Sequence, residues 1–138
     1  MSKIGIDTAL LLIDIQNDFC PGGALAVKEG DQIVSEVNKL LKIFPINILT
    51  QDWHPYDHTS FASNHEGKEP LSLINMYYGP QVLWPDHCIQ DTNGSHFHPD
   101  LITINSDLII RKGFRNEIDS YSAFYENDHI TPTGLDGY

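Results

Sequence analysis

Apolar residues fall into short runs separated by polar, turn-rich stretches. Ala9 to Ile15 reads Ala-Leu-Leu-Leu-Ile-Asp-Ile, a nearly continuous apolar run that predicts a strand buried on both faces of a parallel sheet. Asp14 interrupts the run at its C-terminal end, where open parallel sheets carry their ligands. After the turn-rich Cys20-Pro21-Gly22-Gly23, the residues Ile33, Val34, Val37, Leu40 and Leu41 recur at the spacing of one helix face. They predict an amphipathic helix over 31–43, which Pro45 ends. Ile46 to Thr50 is a second short strand, with Gln51-Asp52-Trp53-His54-Pro55 just beyond it. Strand, helix, strand in this order predicts parallel pairing and a right-handed crossover.

Residues 55–100 hold no long periodic segment but contain five of the seven histidines. A connection of that length rich in His, Trp and Tyr points to function. Within it, Leu71 to Tyr78 is expected as a short helix. A third strand is expected near Asp107 to Lys112, ending at Gly113, and another short helix over Ser122 to Asn127. At the C-terminus, Thr133 as N-cap with Asp136 three residues later marks the start of a helix. A single turn is not stable alone, so the pattern reads as an interrupted helix.

Composition narrows the class. A length of 138 residues suits one domain over 1–138. The hydrophobic share of 41% fits a globular protein and does not suggest disorder. The net charge of −11 argues against a nucleic-acid partner and against attraction to an anionic membrane. No stretch approaches the ~20 apolar residues of a membrane span, and Met1-Ser2-Lys3-Ile4 lacks the features of a signal peptide. The expectation is a cytoplasmic protein. Cys20 and Cys88 do not form a disulfide framework, and Cys88 is expected as an inert buried thiol.

Three polar clusters fall at or just past strand ends. Asp14 and Lys112 are expected near the same end of the sheet, where a buried carboxylate and a lysine perturb each other's proton affinity. Asp52 and His54 stand at i and i+2, so an extended segment points both to one side, and His87 adds a third donor from a distance. One carboxylate and two imidazoles with open positions suit zinc or iron, and also manganese. Ser60 is a candidate contact to a metal-bound water. His58 and His65 read as loop hydrogen-bonders, and His96 and His98 as structural.

The ordered motifs carry a resemblance. They are Leu12-Ile13-Asp14-Ile15-Gln16-Asn17-Asp18-Phe19-Cys20-Pro21-Gly22-Gly23, Gln51-Asp52-Trp53-His54-Pro55, Ser60-Phe61-Ala62-Ser63, Trp84-Pro85-Asp86-His87-Cys88, and Lys112-Gly113 with Asp119-Ser120-Tyr121-Ser122-Ala123-Phe124. Together they resemble the isochorismatase-like cysteine hydrolases, in their nicotinamidase and pyrazinamidase branch. The resemblance implies a three-layer α/β/α sandwich around a parallel sheet. It implies an Asp-Lys-Cys triad with Asp14 and Lys112 as the first two members, and one divalent metal ion on Asp52, His54 and His87, zinc foremost. Phe19 and Trp84, with Tyr121 beside them, resemble the aromatic walls around a pyridine ring. The implied substrate is nicotinamide, with pyrazinamide as a related amide. The oligomeric state stays open, a homo-oligomer included.

The family's nucleophilic cysteine would lie C-terminal to all of these motifs. The expectation is therefore a C-terminally incomplete domain, lacking further strands and helices and inactive on its own. A metal- or nicotinamide-binding homologue without turnover, a scaffold module, and another hydrolase of the same fold remain as alternatives.

Overall fold

The computed structural model describes residues 4–138. Its centre is a three-stranded parallel sheet of β1 (Ala9–Leu12), β2 (Ile46–Asp52) and β5 (Leu108–Lys112), in the order β1-β2-β5. Only β2 is buried on both faces; Leu11 of β1 and Ile109 of β5 are exposed because these strands lie at the sheet edges, so β1 is not the doubly buried strand its apolar run predicts. Pairing sets Leu12 beside Leu49, and Asp52 beside Lys112 at the far end of the sheet. A separate antiparallel hairpin joins β3 (Leu73–Met76) to β4 (Gly79–Val82). The architecture is α/β with a parallel sheet, and no described helix is long and apolar enough to cross a membrane.

One sheet face packs on α1 (Val34–Leu40), which a 3₁₀ turn over Gly30–Ile33 precedes. Leu12, Ile15, Val34, Leu41, Leu49 and Leu101 form that core, with Val37 packed against it. Ile33 and Leu40, predicted on the same helix face, are instead exposed. On the opposite face Ile48 packs with Ala123 and Leu135, supported by Ile46, Leu108 and Ile110. Over the described residues this second layer is irregular chain.

Three local expectations are corrected. Leu71 to Tyr78 is not helical. Residues 73–76 alternate between exposed and half-buried, which is a strand period, and Gly79 turns the chain at φ +123°. Ser122 to Asn127 forms no helix. Ser122 and Asp128 bond their own neighbourhood, Ser122 Oγ accepting from Phe124 N and Asp128 Oδ1 from Ile130 N and Thr131 N, which competes with helical pairing. At the C-terminus a 3₁₀ turn runs over Leu135–Gly137, but Gly134 stands at its start and no side chain caps it. Thr133 Oγ1 donates instead to Ser122 O at 3.4 Å.

β1 also ends earlier than expected, at Leu12. Asp14 takes φ +49°, a left-handed conformation that is costly for a non-glycine residue. Its backbone N donates to Thr50 Oγ1 at 3.1 Å, and Thr50 Oγ1 donates in turn to Asp14 Oδ1 at 2.6 Å. The β2 side chain thus holds the turn that aims the Asp14 carboxylate.

Candidate active site and metal centre

A cavity of about 220 Å³ opens beyond the C-terminal ends of the strands. Asp14, Phe19, Asp52, His54, Trp84, His87, Lys112 and Tyr121 all line it, joined by Leu25, Asp119 and Ser120. All eight residues that the resemblance assigns to the site therefore border one space. Strand ends deliver Asp14, Asp52 and Lys112, while the loops after β2 and β4 bring His54, Trp84 and His87.

Lys112 is the hub of the charged groups. Its Nζ lies 2.9 Å from Asp14 Oδ2 and is bonded to Asp52 Oδ1, and it is almost fully buried. Burial alone pulls a lysine down, but the two carboxylates more than offset it and hold Lys112 above its ordinary range. Burial also opposes ionisation of Asp52, yet the Lys112 charge keeps that carboxyl well below the usual range. Asp14 goes the other way. Its burial outweighs the attraction of Lys112, and the nearby Asp52 charge adds to the rise. Two carboxylates beside one lysine are thus differentiated, one held ionised and the other readier to take up a proton.

Asp52 Oδ2 lies 3.7 Å from His54 Nε2 and 3.7 Å from His87 Nε2. Asp52, His54 and His87 each offer a ligand atom within 4.8 Å of the others. Both imidazoles have backbone carbonyls at Nδ1, Gly113 O at 2.8 Å for His54 and Pro85 O at 2.8 Å for His87. A carbonyl only accepts, so each Nδ1 carries the proton and each Nε2 presents its lone pair towards Asp52. A buried carboxylate converging with two such nitrogens has the chemistry of a divalent metal site.

The backbone around these donors is tightly specified. His54 N donates to Cys88 O at 3.0 Å, and Gln90 N to His54 O at 2.8 Å. Gly113 adopts φ +66°, and a Cβ there would run into the His54 ring. Gln16 has no exposed surface. Its Oε1 accepts from Asp52 N and its Nε2 donates to Asp52 O, both at 2.8 Å. Phe61, also fully buried, packs edge-on against His54 and His87 with centroids 5.3 and 5.5 Å away. Gln16 and Phe61 stand within the sequence motifs, but neither carries chemistry of its own that would mark it there.

His58 is fully buried, with its ring centroid 4.5 Å from that of His54. Its Nε2 donates to Ile118 O at 3.2 Å, and its Nδ1 accepts from Ser60 N at 3.2 Å and from Ser60 Oγ at 2.8 Å. Burial, then the neighbouring His54, pushes it down to about 4, so it is neutral at pH 7. The Ser60 hydroxyl is committed to His58. His65 bonds Thr59 O through Nε2 at 2.7 Å, and His98 Nδ1 accepts from Asp100 N at 3.2 Å.

Phe19 meets His87 edge-on at 5.7 Å, and Trp84 meets Tyr121 edge-on at 6.2 Å. Neither cysteine is poised as a nucleophile. Cys20 and Cys88 are free and buried, and burial pushes both thiols up. The Cys88 thiol faces Gly94 O at 3.9 Å.

The isochorismatase domain family matches residues 8–130. The nicotinamidase of Acinetobacter baylyi is 55% identical over 130 residues, covering 94% of this chain and 61% of that protein. A solved structure of the Acinetobacter baumanii nicotinamidase and pyrazinamidase superposes with a TM-score of 0.91 at 57% identity, covering 94% of this chain and 63% of that one. The pyrazinamidase of Pyrococcus horikoshii in complex with zinc superposes with a TM-score of 0.65 at 37% identity, covering 84% of this chain and 57% of that one. The chain thus spans about three-fifths of the length of the relatives it matches.

Proposed function

The chain belongs to the isochorismatase family, and from that footing we propose that the protein hydrolyses nicotinamide to nicotinate and ammonia. One observation carries the reading. The ion-paired Asp14–Lys112 couple and the Asp52, His54 and His87 donors border one cavity that has aromatic side chains in its wall. The substrates of the Acinetobacter relatives support the choice of amide.

Phe19 and Trp84 flank the pyridine ring, with Tyr121 at the wall, and together they exclude water from it. Asp14, its proton affinity raised, takes the proton of an attacking thiol and gives it to the departing ammonia, leaving a thioester that water then cleaves to nicotinate and the free thiol. The Lys112 ammonium stabilises the thiolate while Asp14 is protonated. Asp52, His54 and His87 would hold a divalent ion, zinc in our reading with iron or manganese as alternatives, and it would supply Lewis-acid chemistry at the ring. The zinc complex of the Pyrococcus relative supports that assignment. Pyrazinamide fits the same cavity as a ring analogue.

Neither cysteine in the chain is placed for the attack. We assign the thiol to residues that seat along the open side of β1, where Leu11 and Ile13 are exposed next to Asp14. The 138-residue polypeptide by itself then binds metal without turning over amide. The whole protein would serve pyridine nucleotide salvage in the cytoplasm.

Ammonia release from nicotinamide by the zinc-loaded product of the whole gene tests the reading. Release from isochorismate or N-carbamoyl amines, with none from nicotinamide, would move the protein to another branch. Ammonia released above background by the pure 138-residue polypeptide would refute the assignment of the thiol.

A further inference from the structure

Gln81 stands at the centre of a hydrogen-bond network that the catalytic groups do not use. It lies on β4 with no exposed surface. Its Nε2 shares two hydrogens among three acceptors, Asp119 Oδ2 at 2.9 Å, Tyr121 OH at 3.0 Å and Val82 O at 2.7 Å. Its Oε1 accepts from Tyr78 OH at 3.0 Å and from Asn127 Nδ2 at 3.2 Å. The amide can sit only this way round, because Nε2 faces a carboxylate and a carbonyl, which only accept. Asn127 Oδ1 closes the network by accepting from Tyr121 N at 3.1 Å.

The network fixes the direction of one proton. Tyr121 OH accepts from Gln81 Nε2 and, at 3.3 Å, from Trp84 Nε1. Two donors meet the phenol oxygen, and among the described residues its own proton has no acceptor. Tyr121 is exposed and lines the cavity.

We infer that Gln81 is a positioning residue for the cavity wall, holding Tyr121 and Trp84 together so that the Tyr121 hydroxyl donates to an acceptor atom of the bound aromatic amide. The inference rests on the reading of the cavity as an aromatic-amide site. It gives the β3–β4 hairpin a purpose, since Gln81 ties the hairpin to Asp119 and Tyr121, which line the cavity. Glutamate at 81 would face the Asp119 carboxylate, and an apolar residue would leave Asp119 and Tyr121 short of a donor.

The indole N–H resonances of the 15N-labelled, zinc-loaded protein test it, with nicotinamide as the probe ligand. Trp53 stacks beneath Arg111, with the guanidinium 3.7 Å from the ring centroid, and serves as the internal reference. In a folded Gln81→Met variant the Trp84 indole shifts and its proton exchanges faster while Trp53 is unchanged, and nicotinamide Kd rises by about tenfold. An unmoved Trp84 resonance, or a moved one with unchanged affinity, overturns the inference. A wild-type protein that does not bind nicotinamide, combined with a Trp84 shift in the variant, upholds the positioning and removes the nicotinamide reading. Should Gln81→Met not fold, Tyr121→Phe carries the test with the same expectations, and an unchanged Trp84 indole with unchanged affinity there overturns it too.

Discussion

Asp52 and Lys112 are partners on the last rung of the β2–β5 ladder, and their side chains are bonded to each other. The register of a parallel sheet therefore fixes the distance between the Asp52 carboxylate and the lysine that also grips Asp14. In-register neighbours on parallel strands share a face, so the pair needs no loop to bring it together.

Replacing Lys112 with Met leaves Asp14 and Asp52 as buried carboxylates without a cation. Breaking such a pair costs about 3–5 kcal/mol. Urea unfolding of the metal-free protein is expected to show a loss of that size. Asp14→Asn together with Lys112→Met is expected to recover part of it.

Metal binding should be linked to folding. The polypeptide is expected to take up one zinc ion per chain through Asp52, His54 and His87. Saturation at 100 times Kd stabilises by about 2.7 kcal/mol, seen as a higher Tm that chelation reverses. His54→Ala and His87→Ala are each expected to abolish retention of the ion through dialysis, measured by elemental analysis.

Gly113→Ala introduces a Cβ at φ +66° that overlaps the His54 ring. Strain in this backbone region costs about 1–3 kcal/mol. The displaced ring turns Nε2 away from Asp52, so zinc affinity is expected to fall along with stability. A calorimetric titration beside a melting curve separates the two effects.

His58 predicts an acid limb. Its folded proton affinity is depressed to about 4 by burial and by His54, below the ordinary value of 6.5. The neutral ring contributes stability fully above 6.5, and that contribution drains away as pH falls through about 4. The loss is on the order of 3 kcal/mol. In His58→Gln the slope of unfolding free energy against pH between those limits is expected to flatten in the metal-free protein.

Sequence patterning reaches the sheet and the lining of the cavity for a common reason. β1, β2 and β5 are short apolar runs, β2 buried between the other two and β1 and β5 covered on one face, and their C-terminal ends are where a parallel sheet exposes polar side chains. Asp14, Asp52 and Lys112 can be placed there from strand boundaries alone. The hairpin escapes such a reading because Leu71 to Tyr78 has too few residues to separate a period of two from one of 3.6. Gln16 and Gln81 are silent for another reason. An amide has no chemistry to announce it, and their partners stand 36 and 38 residues away. Only the folded chain shows what each amide satisfies.

The Gln16 amide has a wider consequence. It meets both the N–H and the C=O of Asp52, so one side chain does what a neighbouring strand would do for that residue. β1 is therefore free to veer off at Asp14 and leave a gap at the rim of the sheet without stranding a buried peptide group. The hollow beyond the strands is a seam parted under control, closed behind by a single amide. Glutamate could not offer the N–H, nor methionine either bond, and with either at position 16 water would enter behind the Asp52 carboxylate.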